Sequence, residues 1–340
     1  MTDALVPPDV VGAVLVTATG DDRWAHPTAS LVSGGKSNLT FELTSPAGSL
    51  VLRRPPSGDL LPTAHDMGRE ARVQRALADT AVPVPRIVAE DDGSAFGVPF
   101  YVMERVEGHV VRDTLPDGVL TDPADRHRVG LALADLLADL HAVDPAAVGL
   151  ADFGRPSGFL ARQVSRWGRQ WDASRFDDEP VPDLDALRAA LAARVPESPA
   201  PTIVHGDLRL DNCVVDAFGA VKALLDWEMS TLGDPWTDVA LLAFYWRDRG
   251  EPQRLLTPGV TDQPGFPTRD EVLTRYTERS GRRADDLTWY LAFAHFKFAV
   301  IAQGIAARVR GDAMAGQDFG DLGAEVRAIA AEGVTMMERA

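Results

Sequence analysis

Residues 205–212 read HGDLRLDN and residues 226–228 read DWE. Around them lie short apolar runs: TIV before the first cluster, CVV after it, and AVKALL ahead of the second. Strand, loop, strand, a tight turn at DAFG and a further strand return the chain to one end of a hairpin. Asp226 is then expected to face the loop that carries Asp207 and Asn212. No basic residue in this arrangement is obliged to neutralise the two carboxylates, and close carboxylates repel unless a cation lies between them. Hard oxygen ligands favour magnesium, which takes one or two carboxylates and completes its shell with water and substrate phosphates. The blander reading of Asp207 and Asn212 is turn capping, a common use of Asx side chains. The second cluster at Asp226 weighs against it.

Two textures of sequence must position these groups. Residues 30 to about 107 hold the strand-like runs LTFEL, SLVLRR and FYVMERV, with one helical stretch, HDMGREARVQRALADT, between the second and third. Prolines at 83 and 85 stop that helix, since they remove donors and push their neighbours to extended forms. From about residue 124 onward helical periodicity dominates, with apolar stripes at 129, 133, 136, 137 and 140,. Residues 183–193 and 286–308 also read as helices, and the second is apolar nearly all round, the mark of a buried element.

Composition narrows the partners. The chain of 340 residues carries a formal charge of −16, which repels nucleic acid and anionic membrane,. A single cysteine, Cys213, rules out an internal disulfide framework and a cysteine zinc site,. The N-terminal stretch lacks a basic region and holds early prolines, unlike a secretory signal, and LTWYLAFAHFKFAVIAQGIAA is interrupted by His295 and Lys297. A cytoplasmic protein, monomeric or homodimeric, with no nucleic-acid or membrane partner is the expectation.

Taken together, HGDLRLDN and, fourteen residues after Asn212, DWE resemble the motifs of aminoglycoside phosphotransferases and related small-molecule kinases with the protein-kinase-like fold. SGGKSNLTFEL, VLRRPP, DWEMSTLGDPWTDVA and FKFAVIAQGIAAR are similar to the branch related to the kinase domain of some acyl-CoA dehydrogenase fusion proteins. The resemblance covers roughly residues 30–310. It implies an α+β, bilobal fold: an N-lobe over 1–106, with a five-stranded sheet and one main helix, and a larger, mostly helical C-lobe over 107–340. It also implies ATP-dependent transfer of a phosphoryl group, with Mg2+, to a hydroxyl of a small molecule, either aminoglycoside-like or a hydroxy acid or hydroxyacyl compound.

Residue by residue, the resemblance makes Asp207 the base and Asn212 and Asp226 the metal ligands. Gly34, Gly35, Lys36 and Ser37 would cover the phosphates, and backbone groups of Glu104 and Val106 would meet the adenine, with Met103 packing nearby. The kinase lysine is missing from VLRRPP; Arg53 takes its place, held forward by Glu70, although arginine is not equivalent to lysine. A surface ion pair is the plainer account of Arg53 and Glu70. Glu228 reads either as a water-mediated metal contact or as an exposed acid. His205 reads as a loop support, Cys213 and His141 as packing, and Asp234 and Asp238 as anchors of a helix start. Tyr245, Trp246, Arg247, Tyr290, His295 and Arg308 could line an acceptor pocket or simply pack. The rival function is a nucleotide-binding regulatory module without transfer, kept open by the absent lysine. A metal-dependent hydrolase would need histidine clusters that seven scattered histidines do not supply,.

Overall fold

The computed structural model describes residues 5–32, 38–56, 66–257, 259–284, 286–311 and 319–339. The chain divides into two compact units, residues 1–108 with 221–230 and residues 109–220 with 231–340. The DWE segment therefore counts with the first unit, although the sequence reading placed everything from residue 107 onward in the second.

In the first unit, helix α1 (Pro8–Thr19) precedes strands β1 (Thr28–Leu31), β2 (Leu39–Ser45) and β3 (Gly48–Arg54). Helix α2 (Met67–Leu77) and strands β4 (Ile87–Asp92) and β5 (Pro99–Glu104) follow. The five strands form one antiparallel sheet in the order β1-β2-β3-β5-β4. Alternation along the strands sends Phe41, Leu43, Leu50, Leu52, Phe100 and Val102 to one face, where they bury against Val11 and Leu15 of α1,. Tyr101 and Met103 point the other way and pack with Met67 and Ala71 of α2. Both faces of the sheet are thus covered, which is why β5 reads as a continuous apolar run. Each such side chain contributes about 1.5–3 kcal/mol by burial.

Helix α1 has no counterpart in the sequence reading. Pro7 and Pro8 look like breakers, but Pro8 occupies the first helical turn, where its missing N–H costs nothing,. Gly20, left-handed at φ 69°, ends the helix by donating its N–H to the Val16 carbonyl,.

The second unit holds α3 (Pro123–Ala142), α4 (Phe159–Ser174), α5 (Pro182–Ala193), α6 (Pro235–Tyr245), α7 (Arg269–Ser280), α8 (Thr288–Arg310) and α9 (Leu322–Arg339). The Asp122 side chain accepts the Ala124 N–H and starts α3, with Pro123 in its first turn. Helix α8 is long and apolar enough to cross a bilayer, yet its apolar window is 72% buried. Helices α4, α5, α6 and α9 pack around it, so it is the core of this unit. The short strand Thr202–Val204, buried throughout and paired with Thr231–Gly233, delivers the chain into the 205–212 loop.

Candidate active site

Period-two alternation separates the two arginines that end β3. Arg54 reaches the Leu5 and Pro55 carbonyls and ties down the N-terminal segment. Arg53 lies on the α2 face, opposite Tyr101 across the sheet. Its Nη2 donates to Asp226 Oδ1 at 2.5 Å, and its Nε lies 3.3 Å from Glu70 Oε2. The expectation that no basic residue neutralises the acidic groups is therefore corrected. A buried arginine already sits on Asp226, because β3 delivers it there.

Around Arg53 the first unit gathers more acid than base. Glu228 Oε2 lies 3.7 Å from Arg53 Nη2 and accepts from Asn38 Nδ2, which also donates to Glu70 Oε1 at 2.9 Å. Tyr101 donates its hydroxyl to Glu70 Oε2 at 3.0 Å. Burial pushes the Glu70 carboxyl up to about 7; Arg53 opposes that rise, while Asp226 and Glu228 add to it. Burial alone would lower the Arg53 pKa, but Tyr101, Asp226 and Glu70 outweigh it and raise it, so the guanidinium stays charged. Arg53 Nε is buried without a hydrogen-bond acceptor among the described residues. Such a donor costs free energy until an oxygen reaches it.

Asp226 is held in the left-handed region at φ 65°, an uncommon conformation for a residue with a Cβ, stored at a cost of about 1–2 kcal/mol,. Neighbouring bonds keep it there. The Trp227 indole donates to the Leu224 carbonyl, and Ser230 Oγ to the Trp227 carbonyl. Arg69 of α2 reaches the Ser230 carbonyl.

In the second unit, α6 carries a set of polar contacts of its own. Asp238 and Tyr245 are seven residues apart, two helical turns, and so share one face,. Asp238, 1% exposed, accepts the backbone N–H groups of His205 at 2.6 Å and Gly206 at 2.8 Å. It anchors the catalytic-type loop, while the start of α6 is capped by Asp234 alone, through the Trp236 N–H. Burial would raise the Asp238 pKa, but bonds from His141 and His205 hold it below the usual carboxylate range. His205, fully buried, accepts the Asp207 N–H at Nδ1, which makes it the loop support expected of it.

Asp207 itself is engaged at both oxygens. Asn212 Nδ2 donates to its Oδ2 at 3.1 Å and to its carbonyl at 2.8 Å, so the five-residue spacing does bring this pair together. Tyr245 donates its hydroxyl to Oδ1 at 2.6 Å. Arg209 Nε lies 3.0 Å from Asp211 and 3.6 Å from Asp207, with its guanidinium 5.3 Å from the Tyr245 ring centre. Lys297 of α8, buried, donates to the Gly206 carbonyl at 2.7 Å. Burial lowers its pKa, and Asp207 and Asp238 partly restore it.

Some sequence candidates lie elsewhere. Trp246 donates to the Pro267 carbonyl, Arg247 pairs with Asp262, and Tyr290 donates to Asp234. His295 pairs with Glu332, so packing accounts for these four. Glu104 N–H donates to the Arg86 carbonyl, so that donor is already taken. Gly34, Gly35, Lys36 and Ser37 lie outside the described residues. Among the described residues no three metal-ligating side chains gather at one point. Oxygen donors that carry one or two carboxylates suit a magnesium ion whose other ligands come from phosphates and water.

A small antiparallel sheet with its helix, followed by a helical unit carrying an Asp-x4-Asn loop, defines a protein of the kinase-like class. The profile of the phosphotransferase enzyme family (APH) matches residues 28–272, and the chain belongs to that family. Acyl-CoA dehydrogenase family member 11 of Rattus norvegicus is 37% identical over 295 residues, covering 85% of this chain and 37% of that protein. Family member 10 of Mus musculus is 37% identical over 279 residues, covering 81% of this chain and 26% of that protein. The chain thus spans about a third of the length of the relatives it matches. A crystal structure of a protein from Ralstonia eutropha, assigned to the aminoglycoside phosphotransferases, superposes with TM-score 0.82 at 32% identity. It covers 97% of this chain and 98% of that one. The aminoglycoside phosphotransferase APH(4)-Ia, in ternary complex with AMP-PNP and hygromycin B, shares the fold at TM-score 0.62 and 18% identity, covering 96% and 98%.

Lys297, Asn38, the contact of Tyr245 with Asp207 and the anchoring role of Asp238 are the parts that sequence reasoning missed or misassigned; Tyr245 itself reads from sequence only as a candidate lining of an acceptor pocket. The seven-residue spacing of Asp238 and Tyr245 was a usable signal. Lys297, the one lysine inside the apolar α8 run, was another.

Proposed function

We propose that this phosphotransferase moves the terminal phosphoryl group of ATP to a hydroxyl of a small molecule, with Asp207 receiving the hydroxyl proton. The observation that carries the reading is the Asp207 carboxylate, fixed by Asn212 on a loop that Asp238 anchors from below. Asn212 and Asp226 would hold a magnesium ion, which when bound with nucleotide supplies neutralising charge on the phosphates. Arg53, whose buried Nε has no hydrogen-bond acceptor among the described residues, would serve a phosphate oxygen. Glu70 keeps that arginine in place. Residues 34–37 would cover the phosphates, and the 104–106 backbone would receive the base. Positioning and charge stabilisation would supply most of the catalysis.

For the acceptor we favour a hydroxy acid or hydroxyacyl compound over a cationic aminoglycoside. Helix α4 carries Arg162, Arg166 and Arg169, and among the described residues none of them pairs with a carboxylate. Arg162 donates to the Ser157 and Arg155 carbonyls, Arg169 to Ser165 Oγ, and Arg166 stacks over Trp167. Arg166 is close enough to Lys297 to add to the lowering of its pKa. In a chain of charge −16 such a row of unpaired arginines favours an anionic ligand,. The acyl-CoA dehydrogenase names of the relatives agree with that chemistry.

The test is ADP release from Mg-ATP across hydroxy acids, hydroxyacyl-CoA esters and aminoglycosides. Asp207→Asn should retain nucleotide binding in a calorimetric titration while transfer falls by roughly 10²–10⁴-fold, the usual worth of a positioned base. Mg-ATP binding without turnover on any acceptor would favour the regulatory module instead.

A further inference from the structure

Tyr245 lies outside the HGDLRLDN and DWE stretches, yet its hydroxyl makes the contact that an acceptor hydroxyl would have to make. A hydroxyl donating to Asp207 Oδ1 at 2.6 Å is the geometry of a substrate alcohol at its general base,. Oδ2 is meanwhile held by Asn212, with the Arg209 guanidinium 3.6 Å away. Asp207 is therefore fully engaged by its own unit. The tyrosine is not a loosely placed surface group, being 6% exposed at the end of α6. Its ring stands edge-on to Phe244 and to Phe298 of α8, each 5.8 Å away between centres, with Arg209 over its face. Burial and the charge of Asp207 hold the phenol proton in place, so the group acts as a donor at every working pH.

We propose that Tyr245 is a stand-in for the acceptor hydroxyl that keeps water from being used as the phosphoryl acceptor. The inference rests on the phosphotransferase reading above. In that reading a base open to solvent would activate water. ATP would then be hydrolysed, water giving its proton to Asp207 and its oxygen to the terminal phosphorus as ADP departs. With the phenol on Oδ1, water must displace a fixed, buried donor before it can occupy that place. An acceptor bound by its own contacts to the unit displaces the phenol, or aligns beside it, at much smaller relative cost.

The experiment uses Mg-ATP alone, with no acceptor, and compares wild type, Tyr245→Phe, Asp207→Asn and the double variant. Nucleotide binding is titrated and melting temperature recorded for each. Phenylalanine keeps the ring packing and removes only the hydroxyl. Acceptor-free ADP release should rise about fivefold in Tyr245→Phe, the scale of one released hydrogen bond, with nucleotide binding unchanged and the melting temperature lowered by no more than about 5 °C. The rise should vanish in the double variant, since it works through the base. A merely structural tyrosine predicts the opposite, a fall in ADP release, and that result overturns the proposal. So does a rise that survives Asp207→Asn. Wild type that fails to bind Mg-ATP at all would overturn the phosphotransferase reading, and this inference with it. Binding with an unchanged rate in Tyr245→Phe defeats the inference alone.

Discussion

Replacing Asp238 with asparagine tests the idea that α6 holds the Asp207 loop from beneath. The carboxylate is 1% exposed and accepts two backbone N–H groups, from His205 at 2.6 Å and Gly206 at 2.8 Å. Hydrogen bonds to charged groups are worth about 1.5–3 kcal/mol each. Asparagine keeps one carbonyl oxygen and turns an amide N–H₂ toward the other donor, so about 2–3 kcal/mol should be lost. The second unit spans roughly 220 residues, whose unfolding entropy of about 0.5 kcal/mol/K converts that loss into about 5 °C of melting temperature,. Near-ultraviolet circular dichroism would follow the melt, and ADP release should fall together with it. Asp139→Asn is the control, because its pairing with Arg279 is at the surface and worth under about 1 kcal/mol,. The native Asp238 pKa lies below its unfolded value, so the gap between wild type and variant should close as pH falls through it,. Equal melting temperatures for the Asp238 and Asp139 variants at neutral pH would refute the anchoring argument.

Glu70 makes a prediction of opposite sign. Its folded pKa of about 7 exceeds the ordinary 4.5, so the native state holds the extra proton across that window and stability falls as pH rises from about 4.5 to 7,. Urea unfolding should show a drop of about 3 kcal/mol across that window, absent in Glu70→Gln; a matching drop in the variant would mean another group is responsible. Leu15→Ala in α1 should cost about 3 kcal/mol, because Leu15 is fully buried under the sheet,. A loss below about 0.5 kcal/mol would mean that α1 is dispensable to the first unit.

Much of the architecture could be read from residue order, and the reasons differ by element. The strand runs at 39–45, 48–54 and 99–104 announce themselves by alternation or continuous apolarity, and α3 by its stripe and its Asp122 start. Asn212 beside Asp207 was legible because a five-residue spacing closes locally, within one loop. Arg53 beside Glu70 needed the resemblance, since their contact joins a strand to a helix across the interior of the first unit. Arg53 on Asp226 was not legible at all: 173 residues separate the partners, and nothing local records that contact. The bond of Tyr245 to Asp207 hid for another reason. On a nearly all-buried helix an aromatic is expected to pack, and it does; only its hydroxyl betrays a second duty.

The pleat of β3 also has a consequence for how this chain tolerates change. Arg53 and Arg54 are adjacent in sequence but serve opposite faces, one the acidic cluster and the other the N-terminal segment. The hairpin that sets their phase is short, with Ser45 paired to Gly48. Inserting or deleting a single residue there would slip the register and send every side chain of the strand to the other face. A slip in one direction would put Leu52 in the slot of Arg53 and leave the acids without their cation. A slip in the other would seat Arg54 there and leave Pro55 to hold the N-terminal segment, which a proline without a side-chain donor cannot do. Substitutions on the surface of this hairpin are therefore open to drift, but its length is not.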